Sequence, residues 1–316
     1  MRTYVIKRLL LNIPVLLLVS LIVFSLMRLI PGDAVIAQVG GTGNIPKSEL
    51  QGLRKELGLD RPFVVQYAIW LGNALHGDFG KSLWTRGSTW GRLANALPIT
   101  AEIAGLAIVV GILLAIPIGV LSATRQNTWV DYFGRLFAIT WLSLPDFWLG
   151  TLVIVLPALW WKYHAPIGFV PFTKDPATNL EQILPPAIIL GLRLSSTSMR
   201  LTRSSMLEVL RQDFVRTARA KGLTERATII RHTLKNALLP VVTIIGGQLA
   251  FLAGGTVVLE TLFTLPGMGQ LTFASIGQRD YTQIQMNVMF LAVILLTANL
   301  ITDLTYGWFD PRIRFA

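Results

Sequence analysis

The sequence predicts an all-α polytopic membrane protein, and three observations support that fold class. Apolar residues make up 53% of the 316 residues and charged residues only 14%, whereas a soluble domain usually carries about 25% charged residues. Six apolar runs each have about 20 residues or more, which is enough for a helix to cross about 30 Å of hydrocarbon. The Lys and Arg residues concentrate in flanking segments and in one loop, a distribution that keeps those segments in the cytoplasm.

Six transmembrane helices would place both termini in the cytoplasm. The first apolar run follows Arg2, Lys7 and Arg8, is longer than the apolar core of a signal peptide, and has no A-x-A site after it. We therefore predict a retained helix. The predicted spans cover residues 9–30, 99–122, 136–161, 183–206, 237–259 and 288–308.

The segment between the first two spans is too polar to cross a membrane and predicts a small external cap. Two amphipathic helices are expected in it, one at 48–58 and one at 62–76. The predicted domains are an N-terminal transmembrane helix (1–30), the external helical cap (31–98), a five-helix core (99–308) with a cytoplasmic loop at 207–236, and a cytoplasmic C-terminus (309–316).

The sequence offers no pattern for catalysis, metal binding or nucleotide binding. It has no Cys, and its three His residues lie far apart, which argues against disulfides and a metal site. Two stretches approach a P-loop, but Pro46 and Leu75 each replace a required Gly, and both stretches lie in the external cap. An enzyme should have a nucleophile and a base close together inside its spans, and no predicted span contains such a group. The net charge of +11 could indicate a nucleic-acid partner, but the positions of the basic residues favour cytoplasmic loops instead.

The most basic segment, residues 213–240, lies between the fourth and fifth spans. Asp213 is predicted to cap a short helix, Gly222 to end it, and Thr224 to cap a second one. Ala218 and Ala220 are small enough to let another surface approach closely. By itself, this pattern is compatible with a docking elbow and with a solvated loop.

Polar residues inside the spans are the candidates for a translocation pathway, since such groups are costly in lipid. Asp146 and Arg193 fall near the middle of neighbouring spans, where they could form a structural ion pair or face a pathway. Glu260 is expected near the hydrated outer surface. The Gly pairs at 246–247 and 254–255 favour helix packing over a gating role. The pathway candidates are Asp146, Arg193, Gln248, Glu260 and Asn287.

The basic segment resembles the cytoplasmic "EAA" loop of ABC importer permeases, in particular the dipeptide/oligopeptide branch, which also includes nickel and glutathione importers. The resemblance rests on 217–222 (Thr-Ala-Arg-Ala-Lys-Gly) with His232, Leu234 and Leu239-Pro240 downstream. Arg216 and Thr217 replace the Glu and first Ala of the general pattern, His232 replaces Ile, and Lys235 replaces the first Pro, departures that resemble the peptide subgroup. Further matching segments are 4–10, 29–33, 57–62, 77–82, 260–263, 266–269 and 279–281.

The resemblance implies a type I importer permease, whose core of five helices is preceded by an N-terminal helix. Such a chain is one of two permease subunits in a bacterial or archaeal cytoplasmic membrane, together with two ATPase subunits and an external solute-binding protein. ATP and Mg²⁺ would then bind to the ATPase partners, and this chain would not be an enzyme. The residues expected to contact the ATPase are Asp213, Arg216, Thr217, Ala218, Arg219, Ala220, Lys221 and Gly222.

The expected cargo is a di- or oligopeptide. Glutathione, nickel chelates and oligosaccharides are the alternatives within the branch, and nothing in the sequence separates them from peptides. A stand-alone channel or a secondary transporter is the rival class, and either should function without ATPase partners.

Overall fold

The computed structural model describes residues 2–29, 60–166 and 168–309, and regular structure in these ranges is helical apart from one isolated bridge between Lys81 and Ser88. A π-helical turn, Thr228–Leu234, lies between the eighth and ninth helices. The helices are α1 Arg2–Leu29, α2 Phe63–Leu75, α3 Thr89–Thr124, α4 Trp129–Ser143, α5 Asp146–Trp161, α6 Pro176–Leu210, α7 Asp213–Ala220, α8 Glu225–Ala227, α9 Lys235–Gly255, α10 Val257–Leu262, α11 Met268–Gly277 and α12 Tyr281–Phe309.

The length and apolar character of the helices confirm a polytopic membrane protein. In the described ranges, α1, α3 and α12 are long and apolar enough to cross a membrane, and the pair α4–α5 provides a fourth crossing if it counts as one broken span. The fourth predicted span lies in α6, whereas the fifth, 237–259, covers most of α9 and runs into the start of α10. Because α6 is surrounded by other helices, it can carry buried Ser195, Ser196 and Ser198 instead of lipid-facing apolar groups. The count of six spans stays a prediction.

The third predicted span, 136–161, is not one continuous helix. It is formed by α4 and α5, whose axes differ by 92°, and α4 begins seven residues before the predicted start, at Trp129. Proline disfavours the helical conformation of the preceding residue and has no amide to donate, and Leu144 is accordingly extended (φ −82°, ψ 128°) before Pro145. The bend places Asp146 in the first turn of α5, where the helix dipole favours a negative charge.

The core forms where α3 packs along α6 through glycines. A Cβ on Gly111 would lie 2.2 Å from a methyl of Leu194, and one on Gly119 would lie 2.7 Å from Thr202. Small residues let helices approach this closely in membranes. The buried apolar residues of this core include Ile99, Ile103, Ala107, Ile183, Ala187, Leu190, Leu194, Leu252 and Leu259.

The segment predicted to form the cap joins the helical core earlier than predicted. Helix α3 begins at Thr89, within the predicted cap, and Ser88 caps it by accepting a hydrogen bond from the amide of Gly91. The second predicted cap helix is confirmed as α2. It packs on α1 through an aromatic group formed by Phe24, Phe63, Tyr67 and Trp70. The first predicted cap helix, 48–58, and the C-terminal residues 310–316 lie outside the described residues.

Candidate coupling elbow and translocation pathway

The predicted elbow between α6 and α9 is present as a short helix, a glycine turn and a second helical segment. Arg211 and Gln212 alone separate the end of α6 from α7. Gln212, and not Asp213, is the N-cap residue of α7, so the predicted capping role of Asp213 is wrong by one position. Gly222 has φ +79°, the left-handed conformation that glycine adopts without steric cost, which confirms it as the turn residue.

The second half of the elbow leads into α9 through a π-helical turn. The hydroxyl of Thr224 accepts a hydrogen bond from the amide of Ala227, which confirms the predicted cap. The hydroxyl of Thr233 donates to the carbonyl of Thr228 five residues earlier (3.2 Å). π-Helical turns are rare and are often found at functional sites. Helix α7 packs against this turn, so the two halves of the elbow support each other.

Helix α7 has an inner and an outer face. Val215 and Ala218 are 0% and 6% exposed, so the small side chain of Ala218 packs against the rest of this chain. Because residues three apart lie on the same side of a helix, Val215 and Ala218 both lie on the inner face of α7. The outer face exposes Phe214, Arg216, Thr217, Arg219, Ala220 and Lys221. Phe214 was missed because it is a single apolar residue outside the periodic pattern.

Arg219 is paired within the chain. Its Nε and Nη2 donate to the two carboxylate oxygens of Glu225, at 3.1 and 2.7 Å. These hydrogen bonds raise the pKa of Arg219 and lower the pKa of Glu225. Arg216 lies 3.7 Å from Asp213 with both side chains largely in solvent, and Lys221 is exposed. The outer face therefore offers an aromatic ring and two solvated cations.

Asp146 and Arg193 form the ion pair that the sequence left as one of two possibilities. Nη1 of Arg193 lies 3.1 Å from Oδ2 of Asp146, and the two side chains are 39% and 17% exposed. Oδ1 of Asp146 is buried and accepts no hydrogen bond from the described residues. The pair joins α6 to the first turn of α5, directly at the bend.

Arg193 also lines a cavity of about 330 Å³ between α4, α6 and α9. Gln248 lies in the same wall, and its Oε1 accepts a hydrogen bond from Ser198 at 3.3 Å. The cavity therefore combines a guanidinium and an amide with apolar walls. Its other lining residues are Leu142, Leu190, Leu194, Thr197, Gly247 and Leu252.

The structure places Glu260 away from this cavity and away from solvent. Its carboxylate is completely buried, so the expectation of a hydrated site is wrong. Thr100 donates to Oε1 at 2.7 Å, and the amide of Gln270 donates to Oε2 at 2.9 Å. After α10 the chain turns back, so that the N-terminus of α11 lies against the carboxylate. A Cβ on Gly267 would lie 2.5 Å from it.

Asn287 is also buried in the contacts of α11 and α12. Its Nδ2 donates to Thr272 at 3.0 Å, and its Oδ1 accepts from Gln283 at 2.8 Å. These contacts hold helices together, and the residue does not line the cavity next to Arg193. Of the five pathway candidates, the structure brings Asp146, Arg193 and Gln248 into one region and leaves Glu260 and Asn287 elsewhere.

Two buried carboxylates were missed by the sequence reasoning. Asp280 accepts hydrogen bonds from the hydroxyl of Ser82, the amide of Leu83 and Nη1 of Arg92, which ties the turn before α3 and the first turn of α3 to the start of α12. Asp131 is paired with Arg203, which lies 72 residues further along the chain. No local pattern connects such distant positions. Among the described residues, no group of three His, Cys, Asp or Glu could hold a metal ion.

Comparisons with known proteins agree with this architecture. The family described as binding-protein-dependent transport system inner membrane component matches residues 115–315, and its N-terminal counterpart matches residues 1–104. A putative peptide transport system permease protein of Brucella abortus (strain 2308) is 38% identical over 315 residues, covering 100% of both chains. The dipeptide transport system permease protein DppB of Escherichia coli (strain K12) is 36% identical over 337 residues, covering 99% of both chains.

A solved structure shows the same fold. The crystal structure of an amino acid ABC transporter with histidines aligns with a TM-score of 0.51 at 13% identity, covering 71% of this chain and 94% of the other. Together with the helical membrane architecture and the elbow, the family matches identify this chain as a member of the inner membrane components of binding-protein-dependent transport systems, the permease subunits of ABC transporters that work with ATPase and solute-binding partners.

Proposed function

We propose that this chain forms half of the translocation pathway of an ATP-driven importer of di- or oligopeptides. The observation that carries the proposal is the full-length similarity to peptide and dipeptide permeases. A cavity with apolar walls and few polar groups suits a cargo whose side chains vary, because few fixed contacts are needed. Selection among peptides then falls mainly to the solute-binding protein.

The assembly that fits this role contains a second homologous permease subunit, two cytoplasmic ATPase subunits and one external binding protein. ATP and Mg²⁺ bind to the ATPase subunits, and this chain hydrolyses nothing. The basic elbow favours the cytoplasmic side, because cytoplasmic loops carry an excess of Lys and Arg. With six spans, both termini then also lie in the cytoplasm.

The elbow at residues 213–222 is the proposed contact with the ATPase. Its outer face exposes Phe214 between the solvated cations of Arg216 and Lys221, and buried aromatic anchors with surrounding charges are typical of protein interfaces. Val215 and Ala218 support the helix from below. The proposed partner surface is therefore a cleft with an apolar floor and an acidic rim.

The proposed pathway passes along α6 beside Arg193 and Gln248. The guanidinium can bind a carboxylate, and the amide can bind a peptide group. The Asp146–Arg193 contact of 3.1 Å is partly solvated, so Arg193 can exchange its Asp146 carboxylate for that of a passing substrate.

Purification from native membranes tests the function most directly. An affinity-tagged chain should co-purify with a second permease and ATPase subunits, and reconstituted vesicles should take up peptide only with ATP and the binding protein. Mass spectrometry of the ligand on the native binding protein then identifies the cargo. Peptide on that protein supports the proposal, whereas glutathione, a nickel chelate or an oligosaccharide overturns the peptide assignment. Uptake by the purified chain alone would overturn the importer itself.

A further inference from the structure

The ends of three helices near the elbow meet at one buried carboxylate. Asp131, near the start of α4, has no exposed surface. Nε of Arg203 on α6 donates to Oδ1 at 2.6 Å, and Nη2 donates to Oδ2 at 2.8 Å. The hydroxyl of Ser122, near the end of α3, donates at 2.6 Å, and the amide of Asn127 in the connecting turn donates at 3.0 Å. A bidentate guanidinium–carboxylate contact fixes orientation as well as distance.

Glycines near this carboxylate bring the helices into close contact. A Cβ on Gly134 of α4 would lie 2.8 Å from Met199 of α6, and one on Gly119 of α3 would lie 2.7 Å from Thr202 of α6. Close-packed interfaces of this kind have discrete arrangements and do not deform continuously. Packing and the ion pair therefore act on the same three helices.

A second contact attaches the bent pair to α6. The Asp146–Arg193 pair lies at the bend between α4 and α5. Arg193 precedes Arg203 by ten residues of α6, which is about 15 Å along a helix. Asp131 thus attaches the start of α4 to α6, and Asp146 attaches the bend between α4 and α5 to α6.

We propose that α3, α4 and α6 move as one rigid block with the elbow, and that Asp131 and Arg203 are the positioning residues that hold this block together. The inference rests on the proposed coupling function of the elbow. Since Arg211 and Gln212 alone separate α6 from α7, a displacement of α7 is passed directly to α6. The Asp131–Arg203 contact then carries α4 with it.

The block has a consequence for the cavity beside Arg193. Leu142 of α4 and Arg193 of α6 line one side, whereas Gln248 and Leu252 of α9 line the other. The first side belongs to the block and therefore keeps its shape when the elbow moves. Helix α9 contacts the block at its start, where Ala237 packs with Ala123 of α3 and Met206 of α6.

Distance measurements in the reconstituted complex test this directly. The chain contains no Cys, so spin labels can be attached at Phe133→Cys on α4 and Ser204→Cys on α6, with the cysteines of the partner subunits replaced. Both positions are exposed. The 133–204 distance should stay constant between nucleotide-free and ATP-trapped complexes when Asp131 is present, and should change between them in the Asp131→Asn background. With Asp131 present, a change of the 133–204 distance by more than a helical turn, about 5 Å, overturns the proposal.

Coupling measurements provide the second readout. Asp131→Asn should retain ATP hydrolysis but move at least tenfold less peptide per ATP, and Asp131→Glu, which keeps the charge, should recover part of the loss. The matched control is Asp175→Asn, because Asp175 caps the opposite end of α6 and Asn caps equally well; it should transport normally. Unchanged coupling in Asp131→Asn overturns the proposal while the importer function stands. Loss of ATP-dependent uptake in the wild type overturns both.

Discussion

The base of α6, meaning the C-terminal turns that carry Arg203, and the elbow that follows it each contain a carboxylate–arginine pair, but in opposite environments. At the base, the carboxylate of Asp131 is fully buried and its partner Arg203 is 19% exposed. In the elbow, Arg219 and Glu225 form an equally bidentate pair whose side chains are 42% and 59% exposed. Water screens the second pair and not the first, so the buried contact holds helices together and the exposed one contributes little. A rigid base next to a solvated elbow suits an element that receives motion from a partner.

The Asp146–Arg193 pair lies between these extremes. It is partly solvated and borders the cavity. These three Asp/Glu–Arg pairs therefore form a series of decreasing burial. Substitutions along this series should separate stability from transport.

The largest effect is expected at the buried pair. Arg203→Met leaves the carboxylate of Asp131 buried without its main partner, which should cost about 3–5 kcal/mol of stability. Thermal unfolding of the purified complex measures the loss. The double variant Asp131→Leu with Arg203→Met removes both charges and should recover much of the stability. Equal destabilisation of the single and double variants would contradict the burial argument.

The next effect is expected at the turn of the elbow. Gly222→Pro cannot adopt φ +79° and loses the amide that donates to Arg219 at 2.9 Å, which should introduce about 1–3 kcal/mol of local backbone strain. Membrane insertion should persist, while peptide uptake and substrate-stimulated ATP hydrolysis are lost. Gly105→Ala serves as a control, because that glycine of α3 has open space around it and does not line the cavity. Unchanged stimulation of the ATPase in Gly222→Pro would refute the role of the elbow.

A smaller effect on stability is expected at the half-exposed pair. Arg193→Gln should cost only about 1 kcal/mol, since solvent screens a guanidinium that is 39% exposed. Peptide uptake at saturating binding protein should fall more than tenfold, because the cation in the cavity is lost. Arg200→Gln, an exposed position on the same helix, is the matched control. A loss of stability as large as that of Arg203→Met would contradict this expectation, because the Asp146–Arg193 pair would then stabilise the fold as much as the Asp131–Arg203 pair.

The smallest effect is a pH dependence at the exposed pair. Hydrogen bonds from Arg219 lower the pKa of Glu225 below its ordinary value of 4.5, so the folded elbow stabilises the ionised form. The resulting stability, less than about 1 kcal/mol, is complete above pH 4.5 and is lost as the pH falls through the folded pKa. Hydrogen exchange of the elbow amides between pH 6 and pH 3.5, with Glu225→Gln as a pH-independent reference, measures it. An equal response in that variant would exclude Glu225 as the source.

Local patterns predicted the elements that depend on neighbouring residues. The cap at Thr224 and the turn at Gly222 follow from side-chain and backbone preferences over a few positions, and the structure has both. The bend at Leu144 was missed although Pro145 signals it, because a long apolar run was taken as one span. The inward position of Ala218 could not be predicted from the sequence, since two faces of a short helix differ only by what packs beneath them.

Composition and apolar run length were sufficient to identify a polytopic helical membrane protein, because crossing hydrocarbon imposes a requirement on each segment separately. Which charged groups are buried is not determined by each segment separately. Glu260 meets Thr100 across 160 residues, and Asp131 meets Arg203 across 72, so only packing of distant helices decides which carboxylates are solvated. That is why the elbow could be located from its own residues, whereas the buried carboxylate that attaches its helix to the rest of the core emerged only from the folded chain.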